Sequence, residues 1–586
     1  MVTPFAIVTF IFFLLSGIFV IRSLSFHVRL PFVGERKVTV GLKSAPIIAI
    51  AILWASQCLG ATQIRDGIIG TDNIKPYNIL ILFISLAYMT TTLDITGILQ
   101  AAAFWVSNKG GSSGRKLYFY FYLLFTLISM TVGNDPVILS GTVFLAYYTV
   151  ATGLPPEAWL ISEFAAANTA SMVLFVGNPT NVVICEGFQI NNAAFTAYMI
   201  WPFIACSIAG YLVLTLQFRN EQHIPRNLNI SGYLNPREIL QDRVSAVFGS
   251  IWLATCLIVV IVLSSFHVDV WKIVLPFAAG KFIFDICWDH HRYSTGKIPK
   301  FNESEPSHVG SADDPMATAF RRVMCGEMQR TGTMTLTDTI RHHDLTENIL
   351  RDEIHHSTSP GESTQDISNN EIRQPNSSTL PFLNSVLQRA PLPNAPPDAP
   401  DHQFVARLWR RLSLRYKKLA VHFPTFFTAV PRLPFRLVPF AFSQFILIEA
   451  LEHQGWIDIF ARWLVVASNK KTMPVVWLVG IFCIILCNIS GTNIGATILF
   501  TKIVRASAFP ERTARAASVS LAVASNIGAV SFTFSASLTG LLWEAVLKDK
   551  GITIKQWKFA MWNTLPLLAM TGVGLGVVSA MMAVLH

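Results

Sequence analysis

The chain has 586 residues, 52% of them hydrophobic and only 14% charged, and its mean hydropathy is +0.47. Because soluble globular proteins carry about 25% charged residues, this composition excludes a soluble globule and predicts a multi-pass membrane protein. The net charge is +10, but the Lys and Arg residues lie between apolar stretches, where they orient a membrane protein. A nucleic-acid partner is therefore not expected.

Ten apolar stretches predict spanning helices, since a crossing needs about 20 apolar residues. In chain order they cover residues 5–21, 46–62, 77–93, 158–185, 195–218, 244–265, 268–287, 436–451, 514–543 and 560–584. No basic residue precedes the first stretch and no small-x-small cleavage site follows it, so we expect a retained helix and not a signal peptide.

Two further apolar stretches, 117–150 and 473–508, are split near the middle into arms of about 16 residues, slightly short for a crossing. Each is either a pair of full crossings or a re-entrant hairpin. We favour hairpins, because one cytoplasmic side then receives all the basic loops, 22–43, 106–116, 219–243, 288–433 and 544–558. Both termini would lie outside, together with four basic residues that do not fit this topology: Lys470, Lys471, Arg512 and Arg515.

Residue spacing indicates two diverged copies of one membrane unit. Positions 358 apart match without a gap: Asp94 with Glu452, Gly97 with Gly455, Trp105 with Trp463, Ser162 with Ser520, Asn168 with Asn526 and Glu186 with Glu544. Each copy holds five predicted crossings and one hairpin, and an odd number of crossings inverts the second copy. We therefore predict an all-α polytopic membrane protein of two inverted repeats, with about ten spanning helices, two re-entrant hairpins and broken helices.

The predicted domains are repeat 1 at residues 1–243 and repeat 2 at 244–287 and 434–586, with an insertion at 288–433. The insertion is rich in Ser, Thr, His, Asp and Pro and lacks apolar periodicity through most of its length, so we expect it to be disordered and cytoplasmic. A basic amphipathic segment near 404–423 fits a helix lying on an anionic leaflet, and a solvated linker fits as well.

Polar residues interrupt the first hairpin at Asn134 and Asp135. Polar breaks at bilayer depth survive only where they line a cavity, and an intramembrane carboxylate is by default a proton or cation site. Asp135 also suits a helix cap, which is compatible with binding. Glu163 and Glu449 lie inside apolar runs and are candidate supporting residues.

The following span should unwind near its centre, at Gly177 and Pro179. Freed amides and a helix N-terminus would attract an anionic or polar solute, while Asn and Thr oxygens would hold a cation. Small-residue packing is the alternative for the flanking alanines. The predicted substrate- and ion-binding residues are Asn134, Asp135, Asn168, Thr169, Gly177, Asn178, Pro179, Thr180, Asn181, Thr492, Asn493, Ser525, Asn526, Ser535, Ser537 and Thr539.

The two hairpin tips differ in charge, because Asn493 stands where the first copy has Asp135. Only the first tip can titrate, so any charged coupling site should be one-sided. The chain has no Gly-x-Gly-Asp or His-Glu-x-x-His string and no Cys/His metal spacing. We expect neither an enzyme nor a resident metal or cofactor, apart from Na⁺ or H⁺ bound as a coupling ion.

These breaks make the chain resemble the arsenite/citrate-type permeases of the ion transporter superfamily, and most closely the arsenite-permease branch. The matching residues are Leu93-Asp94 with Gly97, the Gly133–Pro136 tip, the segment from Ala167 to Asn181, and the tail from Ser535 to Pro566. The resemblance covers nearly all of the membrane portion. It implies two hairpins and two broken helices meeting at mid-membrane, with proton or sodium coupling and alternating access.

The expected function is secondary active transport of a small anion or oxyacid, either arsenite- or antimonite-like or a carboxylate such as citrate. Coupling would be to H⁺ or Na⁺, with Asp135 as the coupling residue. The alternatives are a cation/proton antiporter of the same superfamily and a receptor that keeps the fold without transporting. The expected partners are a small-molecule solute and the lipid bilayer, and a homodimer is left open.

Overall fold

The computed structural model describes residues 3–30, 34–71, 74–228, 234–263, 268–298, 400–435 and 437–584, with side chains throughout except at 28–30, 34–38 and 400–410. Among these residues, seven helical segments are long and apolar enough to cross a membrane. The chain is an integral, multi-pass membrane protein, as its composition predicts.

The first repeat is almost entirely helical. Its helices are α1 (Pro4–Ile21), α2 (Ala45–Ala55), α3 (Ala61–Ile69), α4 (Pro76–Ile95), α5 (Ile98–Gly110), α6 (Gly114–Val132), α7 (Asn134–Thr152), α8 (Glu157–Ala170), α9 (Pro179–Phe188), α10 (Asn192–Gln217) and the short α11 (Pro236–Ile239). A 3-10 turn at Phe175–Gly177 separates α8 from α9. Two strands, β1 (Leu24–Leu30) and β2 (Gly34–Val40), pair antiparallel after α1.

The second repeat, with its insertion, has only helical regular secondary structure within the described residues. Its helices are α12 (Arg243–Leu263), α13 (Val270–Ser294), α14 (Pro400–His422), α15 (Pro424–Ala429), α16 (Leu437–His453), α17 (Trp456–Ser468), α18 (Thr472–Ile489), α19 (Asn493–Ala506), α20 (Glu511–Ile527), α21 (Leu538–Asp549) and α22 (Gln556–Val584). A 3-10 turn follows α15 at Val430–Arg432, and another separates α20 from α21 at Phe534–Ala536.

The two repeats share one order of elements, since α4 to α10 correspond one by one to α16 to α22. Both pairs of apolar arms are helical hairpins, and both following segments are broken by a 3-10 turn. We name them hairpin 1 (α6 and α7), broken helix 1 (α8 and α9), hairpin 2 (α18 and α19) and broken helix 2 (α20 and α21). The predicted fold class, an all-α polytopic protein of two inverted repeats, is confirmed.

Two helices of this plan escaped prediction from the sequence. Each has 13 residues and follows a left-handed glycine: α5 follows Gly97 at φ 83°, and α17 follows Gly455 at φ 77°. Thirteen helical residues extend about 20 Å, which is shorter than a membrane crossing, so apolar length alone does not predict these helices. The matched glycines were found by their spacing, but the helices that they start were not.

Three other predicted segments differ in detail. Part of loop 22–43 pairs as β1 and β2, because it alternates in period 2. The predicted span 46–62 breaks into α2 and α3, with left-handed backbone at Gln57 (φ 60°). The hairpin arms have 19, 19, 18 and 14 residues, so three of them are longer than expected.

The predicted insertion lies mostly outside the described residues, which omit 299–399. Helix α14 covers the predicted basic segment, and α13 continues to Ser294, past the predicted end of its span at residue 287. The disorder of the insertion, its membrane contact and the domain boundaries stay predictions.

The hairpins pack reciprocally on the broken helices. Helix α7 of hairpin 1 packs against α21, and α19 of hairpin 2 packs against α9. Within each repeat, α6 packs on α8 and α18 packs on α20. Each hairpin therefore touches the broken helices of both repeats, which brings the predicted polar breaks together.

The two hairpin tips have different surroundings. Helix α1 approaches the tip of hairpin 2 so closely that a Cβ atom on Gly17 would lie 2.2 Å from the carbonyl oxygen of Ile489. A Cβ atom on Gly491, in the same tip, would lie 2.8 Å from Val20 of α1. At the tip of hairpin 1, a Cβ atom on Gly133 would meet only the Gly177 carbonyl oxygen, at 3.3 Å.

Candidate functional site

Each hairpin turns at a glycine with left-handed backbone. Gly133 has φ 92° and Gly491 has φ 81°, a region that glycine adopts without strain. Asn134 begins α7 directly after the first turn, and the Thr492 hydroxyl caps α19 by accepting from the Gly495 amide at 3.3 Å. Gly133, Asn134, Gly491 and Thr492 are buried, whereas Asp135 is partly exposed.

Broken helix 1 restarts at a capped N-terminus. The Asn178 side chain accepts from the Thr180 amide at 3.2 Å, and Pro179 occupies the first helical position, where its missing N–H costs nothing. A Cβ atom on Gly177 would lie 2.3 Å from the Ser171 carbonyl oxygen, so no side chain fits there. The predicted unwinding at Gly177 and Pro179 is present.

Broken helix 2 restarts in the same way with different residues. The Ser537 hydroxyl accepts from the Gly540 amide at 2.9 Å and caps α21. Ser535 lies in the preceding 3-10 turn, 3.4 Å from the Thr533 hydroxyl. The second repeat thus builds its break from hydroxyl residues where the first uses amides and a proline.

Asn526 joins the two broken helices. Its Oδ1 accepts from the Asn178 amide at 3.1 Å and from the Ser171 hydroxyl at 3.2 Å. Its Nδ2 donates to Asn181 Oδ1 at 2.8 Å and to the Ala522 carbonyl at 2.9 Å. All four side chains are buried, and we call Asn526, Ser171, Asn178 and Asn181 the amide cluster. Hydrogen bonds in such a cluster must all be remade if the broken helices separate.

Each hairpin tip contacts the broken helix of its own repeat. Asn134 Nδ2 donates to Asn168 Oδ1 at 3.2 Å, and Asn493 Nδ2 donates to the Ser525 carbonyl at 3.2 Å. Hairpin 1 also reaches the other repeat, because the Thr539 hydroxyl donates to Asp135 Oδ1 at 2.9 Å. The only carboxylate at a tip is therefore bound by broken helix 2.

Two predicted residues have other surroundings. Thr169 donates to the sulfur of Met570 at 3.3 Å, and Ser535 lies with Thr533 beside Asn488. Ser525 and Thr180 are 3.4 Å apart across the repeats. Sequence reasoning missed Asn488, whose amide bonds to Ser531 at 2.9 Å. Its position just before the second tip was the available signal.

Carboxyl side chains on α4 and α16 bond to the second arm of the hairpin in the same repeat. The Ser140 hydroxyl of α7 donates to Asp94 of α4, and Arg432 lies 3.7 Å from the same carboxylate. In the second repeat, Lys502 of α19 pairs with Glu449 at 2.9 Å and with Glu452. These contacts lie away from the tips, and they show that the matched positions Asp94 and Glu452 are both bonded to hairpins.

A cavity of about 400 Å³ opens beside the contact between α9 and α20. Its lining includes Phe188, Arg515 and Val519. On α20, Arg515, Val519 and Asn526 recur at helical spacing, so they share one face, with Asn526 about 10 Å beyond Val519. The cavity therefore lies on the face of α20 that leads to the amide cluster.

The arrangement provides amides, hydroxyls, unwound backbone and one carboxylate, and these are groups that bind small polar solutes and alkali cations. No group of three or more His, Cys, Asp or Glu side chains is placed to hold a metal ion within the described part of the chain. Fold and site together define a helical, two-repeat membrane protein whose hairpins and broken helices converge on a polar centre.

Comparison with known proteins agrees with this class. Residues 5–289 match the CitMHS citrate transporter family. The arsenical pump membrane protein of Escherichia coli is 27% identical over 259 residues, which cover 42% of this chain and 59% of that protein. An uncharacterised transporter of Mycobacterium tuberculosis is 20% identical over 190 residues, covering 31% of this chain and 44% of that one. The match thus spans about three fifths of the arsenical pump protein's length.

Among solved structures, the YdaH transporter of Alcanivorax borkumensis aligns with a TM-score of 0.44 and 12% identity, covering 99% of this chain and 97% of that chain. The family match and the relatives confirm the predicted resemblance to the arsenite/citrate-type permeases of the ion transporter superfamily.

Proposed function

We propose that the chain is a secondary active transporter for a small anion or oxyacid, coupled to H⁺ or Na⁺. The observation that carries this proposal is the amide cluster, in which one side chain from broken helix 2 bonds to three residues of broken helix 1. Hydrogen bonds between the repeats are either made or broken, which would give such a joint two discrete arrangements. Alternating access needs an element of that kind at the solute site.

The residue types favour a neutral, hydroxyl-bearing oxyacid such as arsenite or antimonite. Amide and hydroxyl groups dominate the tips and breaks, and the predicted site residues include no Lys or Arg. A carboxylate with several charges would need compensation on burial, either from cations or from the N-termini of α9 and α21. Citrate-like solutes are therefore the second choice, and they would require a bound Na⁺.

Asp135 is the proposed coupling residue. It is the one carboxylate at a tip, and its bond from Thr539 links hairpin 1 to the opposite repeat. Protonation would remove the charge that accepts this bond. Binding of a proton or Na⁺ would thus bias the position of hairpin 1 against broken helix 2.

The test is flux into proteoliposomes containing the full chain. Arsenite, antimonite, citrate and Na⁺ are offered separately, with an imposed pH gradient or Na⁺ gradient. Asp135→Asn should abolish the dependence on the coupling gradient while leaving the protein folded. Glu221→Gln is the matched control, since it makes the same kind of change at a side chain that is 59% exposed. Unchanged gradient dependence in Asp135→Asn would refute the coupling role.

The two alternatives give different results in the same vesicles. A cation/proton antiporter would exchange Na⁺ for H⁺ without moving any of the offered oxyacids or carboxylates. A receptor would bind a solute, measured by calorimetry, without moving it. Either outcome overturns the transport of oxyacids proposed for this chain.

A further inference from the structure

Glu163 is a buried carboxyl group that the proposed mechanism does not yet use. It lies on α8, five residues before Asn168, and its side chain is 0% exposed. The second repeat has Leu521 at the corresponding position, 358 residues later. Because leucine fills this position in the second repeat, packing alone does not explain why the first repeat has a carboxyl group there.

Its polar surroundings are sparse. The Thr142 hydroxyl of hairpin 1 lies 3.0 Å from both Oε1 and Oε2, but one hydroxyl proton completes only one hydrogen bond at a time. Trp543 of broken helix 2 lies near the same carboxyl group, without a hydrogen bond to it. Gly141 leaves the room for it, because a Cβ atom there would lie 2.6 Å from Oε1.

Within the described residues, no Lys, Arg or His side chain forms a salt bridge with Glu163. Titratable groups on the neighbouring helices have other partners: Tyr118 with Ser162, Tyr122 with the Ser207 carbonyl, and Glu544 with Lys548. An ionised carboxylate buried without a counter-charge is costly, so the closed arrangement favours the neutral acid.

The position of Glu163 links its charge to the movement of hairpin 1. Hairpin 1 carries Asp135 and, two turns later, Thr142, while broken helix 2 carries Thr539 and, one turn later, Trp543. The Asp135–Thr539 bond and the pocket around Glu163 thus lie along one contact between α7 and α21. Separation of these helices would admit water to Glu163, and the water would solvate its ionised carboxylate.

We propose that Glu163 is a second proton-binding site of the transport cycle, loaded when hairpin 1 closes on broken helix 2 and emptied when they separate. The proton binds a carboxylate oxygen from water and returns to water, with no other bond made or broken. This inference rests on the proposed function, since the cycle it serves is the one in which Asp135 couples transport.

The direct test is infrared spectroscopy of the purified full chain at neutral pH, which detects the C=O stretch of a protonated carboxyl group. Glu163→Gln should remove one such band, while Glu221→Gln should leave the spectrum unchanged. Thr142→Val should shift the band by removing its hydrogen-bond donor. Identical carboxyl bands in the wild type and Glu163→Gln would overturn the proposal. If Glu163→Gln fails to fold, an unshifted band in Thr142→Val overturns it.

Flux measurements separate this proposal from the proposed function. In proteoliposomes loaded with a pH-sensitive dye and offered arsenite or citrate, Glu163→Gln should lower the ratio of protons to solute while exchange of solute for solute continues. An unchanged ratio in Glu163→Gln, together with lost coupling in Asp135→Asn, overturns the second site alone. No solute movement by the wild type overturns the proposed function, and the infrared result then still decides whether Glu163 holds a proton.

Discussion

Replacement of Asn526 by alanine should weaken the protein more than replacement of its repeat equivalent, Asn168. In Asn526→Ala, two buried polar atoms lose the partner described for them, Asn178 Nδ2 and Asn181 Oδ1. In Asn168→Ala, only Asn134 Nδ2 loses its partner on a side chain. The two variants therefore compare the loss of hydrogen-bond partners for two buried atoms with the loss for one, at equivalent positions of the two repeats.

The magnitude follows from that count. A buried polar atom left unpaired costs about 1–3 kcal/mol, whereas hydrogen bonds between membrane helices average about 0.6 kcal/mol because alternative partners exist. Asn526→Ala should thus lower the free energy of unfolding by about 1–6 kcal/mol, and Asn168→Ala by about half as much.

The assay is reversible unfolding of the purified protein in mixed micelles of increasing denaturing detergent, followed by tryptophan fluorescence. Asn526→Asp adds a second comparison, since it keeps an acceptor for Asn178 but loses the donor to Asn181. It should be destabilised at least as much as Asn526→Ala, because it buries a carboxyl group without a counter-charge and sets its oxygen against Asn181 Oδ1. Equal losses in Asn526→Ala and Asn168→Ala would refute the view that Asn526 joins the broken helices.

Gly177→Ala should lower the free energy of unfolding by about 1–3 kcal/mol, because its methyl group would meet a backbone carbonyl oxygen 2.3 Å away. Gly572→Ala places its methyl group in open space, so it should be neutral or stabilising in the same unfolding assay. Lys502→Met should lower the free energy of unfolding by about 3–5 kcal/mol, because it removes the buried cation that contacts both Glu449 and Glu452. Lys548→Met, on the surface, should lower it by less than about 0.5 kcal/mol, and similar losses in the two variants would contradict this. Burial and the adjacent His290 lower the pKa of His422 at the end of α14. The packing of His422 should therefore be firm at high pH and loosen as the pH falls. Hydrogen exchange of residues 411–422 that is equally slow at about pH 8 and about pH 5, after correction for intrinsic rates, would contradict this.

Much of the fold could be predicted because the duplication leaves a constant spacing. Gly97 and Gly455, found only as a matched pair, adopt the same left-handed backbone and start the same short helix. The lengths of α5 and α17 could not be predicted, since a 13-residue apolar segment adjoining a span has no pattern of its own. The strands β1 and β2 were hidden by their charged residues, which indicated only a loop.

The candidate site was predictable as a set of residues but not as a set of partners. Asn168 and Asn526 are equivalent in sequence, yet Asn168 bonds to a hairpin tip and Asn526 to the opposite broken helix. This difference depends on what the other repeat places opposite each amide, which one copy's sequence does not contain. The binding roles of these residues stay predictions until solute flux is measured.

The close approach of α1 to the tip of hairpin 2 gives the two hairpins unequal freedom to move. Movement of the hairpin 2 tip toward α1 is blocked, because Gly17 and Gly491 leave no gap between the tip and that helix. The tip of hairpin 1 has no comparably close contact at Gly133. In the predicted topology loop 106–116 is cytoplasmic, so hairpin 1 would enter the membrane from that side. With that orientation we expect hairpin 1 to move more readily than hairpin 2, so that the protein rests between cycles open to the cytoplasm.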